Sequence, residues 1–581
     1  MRWEQLEKKS IAWAASDPDP STAAEVRALI DSKNLAELED RFGTALEFGT
    51  AGLRGVLGGG TNRMNRAVVR RTTAGLARYL KSQVPDVVHR GVVVGRDGRH
   101  LSETFAQDVA GVFAAEGIPA WVFPTVSPTP VTAFAVARLG AAGAIMVTAS
   151  HNPPEYNGYK VYWGNGAQII PPHDLGIARA IEDVGPANAV AVMSDAEARS
   201  KALVRDIPET LERAYLDAIL ALRPTRHVAG LSIVYTAMHG VGGHWALAAL
   251  AAAGFDTVHA VPQQQEPNPD FPTVRFPNPE EKGAMDLSSA LANQLSADVV
   301  LANDPDADRL AVMARDTTGS LQLLSGNEVG ILLGHYLLTQ THGPSPLVLS
   351  TIVSSAQLEA IALALGADYE ATLTGFKWIS NRAIEREAQG ARFVMGYEEA
   401  LGYTVGDVVR DKDGISAALV VADMAAWCRS RGTTLLGYLE EIQRAHGLYL
   451  ARQFNTTLPG ATGAATIQQV MEAFRGRPPS SFGAWAIRAT NDYQTQRRSA
   501  DGHTSPLGLP KSNVLAWELE GGGRVTLRPS GTEPKLKVYF ELKETMGPTE
   551  ALREARGRGT QRLGELETNF LTEAHRRGLP T

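Results

Sequence analysis

The stretch Ala144-Ile145-Met146-Val147-Thr148-Ala149-Ser150-His151-Asn152-Pro153-Pro154 decides the fold. Its first four residues are apolar and read as a short buried strand. The strand then breaks into a turn of Asn, two Pro and, a little further on, Gly158. The same form occurs earlier at Val92-Val93-Val94-Gly95, and a helical stretch, Leu101 to Glu116, lies between the two. Short apolar strands alternating with helices argue for βαβ units and a mainly parallel sheet. The turn places a hydroxyl, Ser150, at a strand's carboxyl end, with His151 beside it and Lys160 a short way on. A hydroxyl so placed can act as a nucleophile or as a phosphate carrier. Ser, Asn and Pro are also common in plain strand-to-turn junctions for backbone reasons. The rest of the chain has to decide between the two.

The pattern recurs. Leu231-Ser232-Ile233-Val234-Tyr235 is strand-like and leads to the Gly-rich turn Gly240-Val241-Gly242-Gly243 and an Ala-rich helix. Val299-Val300-Leu301-Ala302 is a strand running into an acidic loop. A third cycle begins near Gly326, with a Leu-rich helix from Val329 to Leu338, the strand Leu347-Val348-Leu349, and helices to about Ser430. The pattern predicts an N-terminal helical extension over residues 1–40. It predicts three α/β domains of similar plan, with mixed, mainly parallel sheets, over 41–205, 206–320 and 321–440. Residues 441–581 differ: Ala- and Gly-rich loops, a clear strand at Lys535-Leu536-Lys537-Val538-Tyr539-Phe540-Glu541 and a charged terminal helix predict a smaller α+β domain.

At 581 residues the chain is too long for one core. With 44% hydrophobic and 20% charged residues it has the composition of a soluble globular protein. Its formal net charge of -7 gives a nucleic-acid partner no electrostatic support. Anionic small molecules are compatible with it, because local Arg, Lys and backbone amides can hold them. The single cysteine, Cys428, excludes an intrachain disulfide and sits in an apolar helix-like run as a small buried hydrophobe. The polar start, Met1-Arg2-Trp3-Glu4-Gln5, lacks a signal-peptide core, and no stretch approaches the roughly 20 apolar residues that span a bilayer. A cytoplasmic protein without a membrane partner is expected.

Four further segments carry chemistry. Asn303-Asp304-Pro305-Asp306-Ala307-Asp308-Arg309 sets three carboxylates at alternate positions after a buried strand. They can converge only around positive charge, and hard carboxylate oxygens suit Mg²⁺. An EF-hand is excluded, because its Gly and Glu positions hold Arg309 and Arg315 and no helix precedes the loop. A solvated acidic turn is the competing reading, weakened by the mutual repulsion of charges this close. Arg528-Pro529-Ser530-Gly531-Thr532-Glu533-Pro534-Lys535 combines a guanidinium, two hydroxyls and the amides around Gly531 into an oxyanion nest, or is a Pro/Gly turn between strands. Gly396-Tyr397-Glu398-Glu399-Ala400-Leu401-Gly402-Tyr403 offers adjacent carboxylates for vicinal sugar hydroxyls, though a Glu pair alone is often a solvated face. Phe48-Gly49-Thr50-Ala51-Gly52-Leu53-Arg54-Gly55 has glycines that let Arg54 approach an anion, and Arg410-Asp411-Lys412-Asp413-Gly414 adds a cation on a loop.

A hydroxyl nucleophile, a metal loop, a sugar loop and a phosphate nest thus fall on four successive domains. In that order they resemble the four signatures of the α-D-phosphohexomutases, the phosphoglucomutase/phosphomannomutase superfamily. The resemblance covers about residues 41–560. Residues 48–55 (FGTAGLRG), 235–243 (YTAMHGVGG), 276–283 (FPNPEEKG), 373–378 (LTGFKW) and 410–417 (RDKDGISA) are most similar to the branch holding phosphoglucomutase-2, the phosphopentomutases and their bacterial relatives. The resemblance implies four domains arranged around a central active-site cleft. It implies that Ser150 carries a phosphoryl group, gives it to a sugar monophosphate and regains one from the bisphosphate intermediate once that has turned round. One Mg²⁺ per subunit would be held by Asp304, Asp306, Asp308 and an oxygen of phosphorylated Ser150. Arg54 and Arg309 would add positive charge, and His151, Lys160 or Lys412 would move a proton. Glu398, Glu399 and Lys377 would bind the sugar, and Arg528, Ser530, Gly531, Thr532 and Lys535 the phosphate that is not reacting. A sugar bisphosphate would serve as activator and phosphate donor, sugar phosphates would be the only partners, and a monomer or weak dimer is expected.

One departure matters. Many phosphoglucomutases read Gly-Glu-Glu-Ser in the sugar loop, whereas Tyr397-Glu398-Glu399-Ala400 lacks the serine hydroxyl. That removes one hydrogen bond worth about 1 kcal/mol. Glucose 1-phosphate is the first choice of substrate, with mannose or pentose phosphates close behind, and sugar-bisphosphate synthesis uses the same residues. A phosphatase with an Asp-x-Asp nucleophile would fit Asp304-Pro305-Asp306 but has no need of the serine loop or the phosphate nest. A non-catalytic sugar-phosphate-binding protein would not need the serine and all three aspartates together.

Overall fold

A computed structural model describes residues 3–49, 52–228, 230–458, 460–530 and 535–580. They form two compact units, residues 1–329 with 376–435, and residues 330–375 with 436–581.

The first unit opens with the predicted helical extension, three helices at Trp3–Ser16, Pro20–Asp31 and Leu35–Phe42. Asp19 and Asn34 start the second and third by accepting from the backbone N–H groups of Ser21 and Glu37. Leu6, Val26, Leu38 and Phe42 form their common core, with Trp13 edge-on to Phe42.

A six-stranded sheet follows: β1 (Leu53–Val56), β2 (Val92–Arg96), β3 (Ala120–Val122), β4 (Gly143–Val147), β5 (Tyr156–Trp163) and β6 (Val204–Asp206), in the order β1-β5-β4-β2-β3-β6. β4, β2, β3 and β6 are parallel, while β5 and β1 add antiparallel strands at one edge. β4 is buried along its whole length, as an apolar run in the middle of a covered sheet must be. The helix predicted over Leu101–Glu116 is Ser102–Ala115, and its Phe105 and Phe113 pack with Val92, Val94 and Ile145. Lys160 lies on β5, opposite Met146 of β4, so the chain re-forms a strand soon after the Pro-rich turn.

A second sheet holds β7 (Ile233–Thr236), β8 (Val258–Ala260), β9 (Val299–Asn303), β10 (Leu310–Arg315) and β11 (Leu321–Leu323), in the order β11-β10-β9-β7-β8. β9, β7 and β8 are parallel, and β9 and β10 form an antiparallel pair joined by the acidic loop. The unit is completed by the helix Phe376–Ala388, the antiparallel hairpin Arg392–Glu398 with Gly402–Val405, and the helix Gly414–Ser430. Asp413 caps that last helix by accepting from Ile415 and Ser416 N–H, and Cys428 is buried within it as expected.

In the second unit, Pro346–Thr351 and Asp368–Thr372 pair in parallel. An antiparallel sheet in the C-terminal part includes Leu448–Thr457, Trp485–Asp492, Leu515–Leu519, Gly523–Pro529 and Lys535–Glu544. The helices Gly460–Gly476 and Leu552–Arg576 contribute Phe474 and Phe570 to a core around the fully buried Trp517. This is the α+β arrangement expected of the C-terminal segment. The helix expected to start at Val329 begins at Gly326, because Ser325 and Glu328 cap it reciprocally. No helix among the described residues is long and apolar enough to cross a membrane.

Candidate active site

β4 delivers Ser150 into a buried position, 3% exposed, with φ at +54°. A non-glycine residue held there costs on the order of 1–3 kcal/mol and needs support from its surroundings. That support starts from the neighbouring strand. Ser150 N–H donates to Thr148 Oγ1 at 2.8 Å, and Thr148 Oγ1 donates to Asp97 Oδ2 at 2.6 Å. The buried Arg99 pairs with Asp97 at 3.3 Å and donates to the carbonyls of Ser150, Asn152 and Pro153. Asp97 and Arg99 follow β2 as Ser150 follows β4, so the carboxyl ends of two adjacent parallel strands build one loop cluster. Sequence reasoning missed both residues; the signal was Arg96-Asp97-Gly98-Arg99 directly after an apolar strand.

The acidic loop comes to the same place. Ser150 Oγ donates to Asp304 Oδ2 at 2.8 Å and lies 3.1 Å from His151 Nδ1. Asp306 Oδ2 accepts from Lys160 Nζ at 2.7 Å and from Thr129 Oγ1 at 2.7 Å. Asp308 Oδ2 accepts from Lys160 Nζ at 2.9 Å and faces Lys412 Nζ at 3.1 Å. Thr129 is a second residue that sequence reasoning missed. The Gly-rich turn after β7 backs this loop: Val241 N–H donates to Pro305 O at 2.8 Å, and a Cβ on Gly240 would stand 2.4 Å from Pro305 Cα.

The electrostatics are lopsided. Burial, reinforced by the charges of Asp306 and Asp308, pushes the Asp304 carboxyl well above the usual carboxylate range. Burial and Asp308 push Asp306 the same way, but Lys160 outweighs them and holds it low. Burial also opposes ionisation of Asp308, yet Lys160, Lys412 and Arg309 together hold it far down. Burial works against the Lys160 and Lys412 ammonium groups, but the carboxylates around them raise both. His151 is driven well below its ordinary value, first by burial and then by Arg309 and Arg54. The imidazole is therefore neutral near pH 7.

A metal ion fits these residues. Ligand oxygens of Asp304, Asp306 and Asp308 all lie within 4.8 Å of one another. The Oδ1 atoms of Asp306 and Asp308 are buried without a hydrogen-bond partner among the described residues. Unsatisfied hard oxygens beside a carboxyl raised by its like-charged neighbours are the donor set a divalent cation completes.

Arg54, Arg309 and Lys412 lie beside this centre. Arg54, on β1, donates to Asn152 Oδ1 at 3.3 Å. Arg309 Nη1 donates to Ala400 O at 2.9 Å, tying the acidic loop to the hairpin that bears Glu398 and Glu399. Lys412 runs past Gly402, where a Cβ would stand 2.3 Å from Lys412 Cδ. Its ammonium lies 5.7 Å from the ring of Phe376, which opens the helix carrying Lys377. Asp411, beside Lys412, accepts from Tyr162 Oη at 2.6 Å and Gln168 Nε2 at 2.7 Å, which fixes the loop.

Arg528, Ser530 and Lys535 belong to the second unit. Arg528 lies opposite Lys537 on paired strands, and Ser530 N–H donates to Lys535 O at 2.7 Å, closing the base of a loop. Gly531 and Thr532, expected in the same nest, lie outside the described residues, as do Thr50 and Ala51 of the Arg54 segment.

A serine beside a buried acidic triad with two lysines is the form of a phosphoryl-transfer centre. Models of the phosphoglucomutase/phosphomannomutase family match the chain in four parts: α/β/α domains I, II and III at residues 45–188, 213–319 and 325–445, and the C-terminal domain at 500–554. The chain belongs to this family, with its three α/β domains and C-terminal domain, and is an enzyme of the phosphosugar-mutase class. It is similar to the mouse protein named phosphopentomutase, 38% identical over 566 residues, covering 93% of this chain and 90% of that one. A human glucose 1,6-bisphosphate synthase is 36% identical, covering 93% and 90%, and a Staphylococcus epidermidis phosphoglucomutase 34% identical, covering 89% and 94%. The crystal structure of a phosphoglucomutase/phosphomannomutase family protein from Burkholderia thailandensis has the same fold, with a TM-score of 0.64, 19% identity, and coverage of 90% of this chain and 97% of that one.

Proposed function

We propose that the protein interconverts a sugar 1-phosphate and the phosphate on the sugar's terminal carbon, through a phosphoryl group carried on Ser150. The observation that carries this reading is the 2.8 Å hydrogen bond from Ser150 Oγ into the buried aspartate triad. In the first half-reaction a sugar hydroxyl oxygen bonds to the phosphorus of phosphorylated Ser150, and the Ser150 Oγ–P bond breaks. In the second, Ser150 Oγ takes the other phosphate of the resulting bisphosphate. Each half moves one proton from the attacking hydroxyl to the oxygen that leaves, so no net proton is consumed.

The roles divide by charge. Lys160 and Lys412, held protonated by their carboxylate partners, act as fixed positive charges around the transferring group and not as bases. Neutral His151, 3.1 Å from Ser150 Oγ, is placed to exchange a proton with that oxygen. Arg54 and Arg309 add positive charge, and Glu398, Glu399 and Lys377 are assigned to the sugar hydroxyls. Arg528, Ser530 and Lys535 are assigned to the far phosphate, within a C-terminal phosphate-binding domain. Asp304, Asp306 and Asp308 would hold one Mg²⁺, which would neutralise charge on the transferring phosphoryl group. A sugar bisphosphate would load Ser150 at the start.

The first sugar assigned is glucose, between the 1- and 6-positions. A pentose 1-phosphate is the second reading, favoured by the phosphopentomutase and phosphoribomutase names among the relatives at 38% identity. A coupled assay of glucose, mannose, ribose and deoxyribose 1-phosphates, with and without added bisphosphate, tests both. Turnover of none of the four would defeat the proposal. A pentose kcat/KM above that for glucose would replace the first assignment with the second.

Two expected results concern the supports. Arg99→Met should lower kcat about 100-fold with KM within a few-fold, since displacing a reacting group by about 1 Å costs roughly that much. Steady-state kinetics on the purified variant checks it, and Arg99→Lys should recover part of the rate. Gly402→Ala should displace the Lys412 side chain and cut kcat by about 10-fold or more. An unchanged rate in Gly402→Ala would remove Lys412 from the transition state.

A further inference from the structure

In the first unit, β2 ends at Arg96, one residue before the Asp97–Arg99 turn that straps the Ser150 loop. The Arg96 side chain lines a cavity of about 420 Å³, to which none of the candidate catalytic, sugar-binding or metal-ligating residues contributes. We propose that this cavity is a second, regulatory site, and that its ligand is a small organic phosphate with an apolar body.

Four guanidinium groups line the cavity: Arg66, Arg70, Arg96 and Arg199. Three carboxylates face them, Glu103, Asp108 and Asp195. Asp108 is buried and fully used: Arg66 grips both its oxygens, at 2.7 and 3.0 Å, and Arg70 adds a bond at 2.9 Å. Those bonds use neither arginine's Nη1. Asp195 is mostly exposed and engages Arg199, which also reaches Asp206 at 3.0 Å. Arg96 is the anomaly. Its side chain is only 17% exposed, yet its guanidinium makes no hydrogen bond among the described residues. It approaches only the exposed Glu103, at 3.7 Å. With no acceptor for its fork among the described residues, Arg96 is free to donate in bidentate fashion to a phosphate that enters the cavity.

The other walls are mainly apolar, with Val94, Val122 and Val204 on the strand side and Gln107 and Ser194 as the polar exceptions. Cationic groups over an apolar wall, in a volume within the range of small-molecule sites, fit a phosphate joined to a ring or short carbon body better than a bare anion. The position also supplies the regulation. A phosphate drawn to Arg96 acts on the residue directly before the Asp97–Arg99 turn, whose last residue, Arg99, holds the carbonyls of Ser150, Asn152 and Pro153.

The test uses the full-length Ser150→Ala protein, saturated with glucose 1,6-bisphosphate and titrated calorimetrically with phenyl phosphate, with inorganic phosphate as a parallel arm. The expected result is one equivalent of phenyl phosphate per chain, bound at least 10-fold more tightly than inorganic phosphate. Adding Arg96→Met and Arg199→Met, which keep the aliphatic stems, should weaken it at least 10-fold. In the Ser150 protein, saturating phenyl phosphate should change kcat at least two-fold, and the same two substitutions should abolish that change. Absence of binding, equal affinity for inorganic phosphate, unchanged affinity in the doubly substituted protein, or binding without any effect on kcat would each overturn the proposal. Dependence of binding on Arg96 and Arg199 is read without turnover, so this result and the assignment of Ser150 stand or fall separately.

Discussion

Ser150→Ala is expected to lower kcat by about 10⁴-fold or more, equivalent to roughly 5.5 kcal/mol of transition-state stabilisation. The oxygen that would accept and return the phosphoryl group is gone, and the neighbouring hydroxyl, Thr148 Oγ1, is already committed to Asp97 and the Ser150 N–H. The fold should be unaffected. The hydroxyl hydrogen-bonds Asp304 and the neutral His151 and carries no charge itself, so the change breaks no ion pair. The KM for sugar monophosphate should stay within a few-fold, because its binding is assigned to other residues. A coupled steady-state assay with a parallel thermal melt measures both. Retention of more than a tenth of the rate would rule out a covalent role for Ser150.

Asp308→Ala should be nearly as damaging and, unlike Ser150→Ala, should also destabilise. Asp308 lies 2.9 Å from Lys160 Nζ, 3.1 Å from Lys412 Nζ and 3.9 Å from Arg309 Nε. Removing it leaves three cations facing one another in a buried site. Breaking one partner out of a buried ionic cluster costs about 3–5 kcal/mol. We expect kcat to fall about 10³-fold or more and the chemical-denaturation midpoint to drop. Asp308→Asn keeps the shape and one acceptor, so it should lose as much activity but less stability. In the unaltered protein, Mg²⁺ in excess should raise the thermal midpoint, since a ligand that binds only the folded state stabilises it. In both variants that rise should shrink to near zero. A full Mg²⁺-dependent rise in Asp308→Ala would place the ion elsewhere.

What was legible in the sequence was chemistry carried by a contiguous run. The apolar run into Ser150 sufficed to put a hydroxyl at the end of a buried strand, because four buried residues in a row fit a covered sheet. The alternate aspartates after β9 were readable for the same reason, and the structure brings their oxygens together. What stayed hidden depends on pairing between distant segments. Thr129 reaches Asp306 across 177 positions, and Arg99 reaches the Ser150 loop across about 50. Neither is visible without the strand order β5-β4-β2 and the hairpin β9–β10. Gly402 looked like one more glycine in a sugar loop; only the course of Lys412 shows that it must lack a side chain. Lys160 follows Ser150 closely in sequence, but its approach to Asp306 and Asp308 follows from its register opposite Met146.

On the proposed reading, Ser150 holds and returns the phosphoryl group. The most direct measurement is to incubate the protein and Mg²⁺ with ³²P-labelled glucose 1,6-bisphosphate, digest it, and locate the label by peptide mass spectrometry. The predicted result is up to one phosphoryl group per chain on Ser150, stable to acid and transferred to sugar bisphosphate when unlabelled sugar monophosphate is added. Label on Asp304 or Asp306 that is released as free phosphate, or no label on Ser150 while turnover continues, would contradict it.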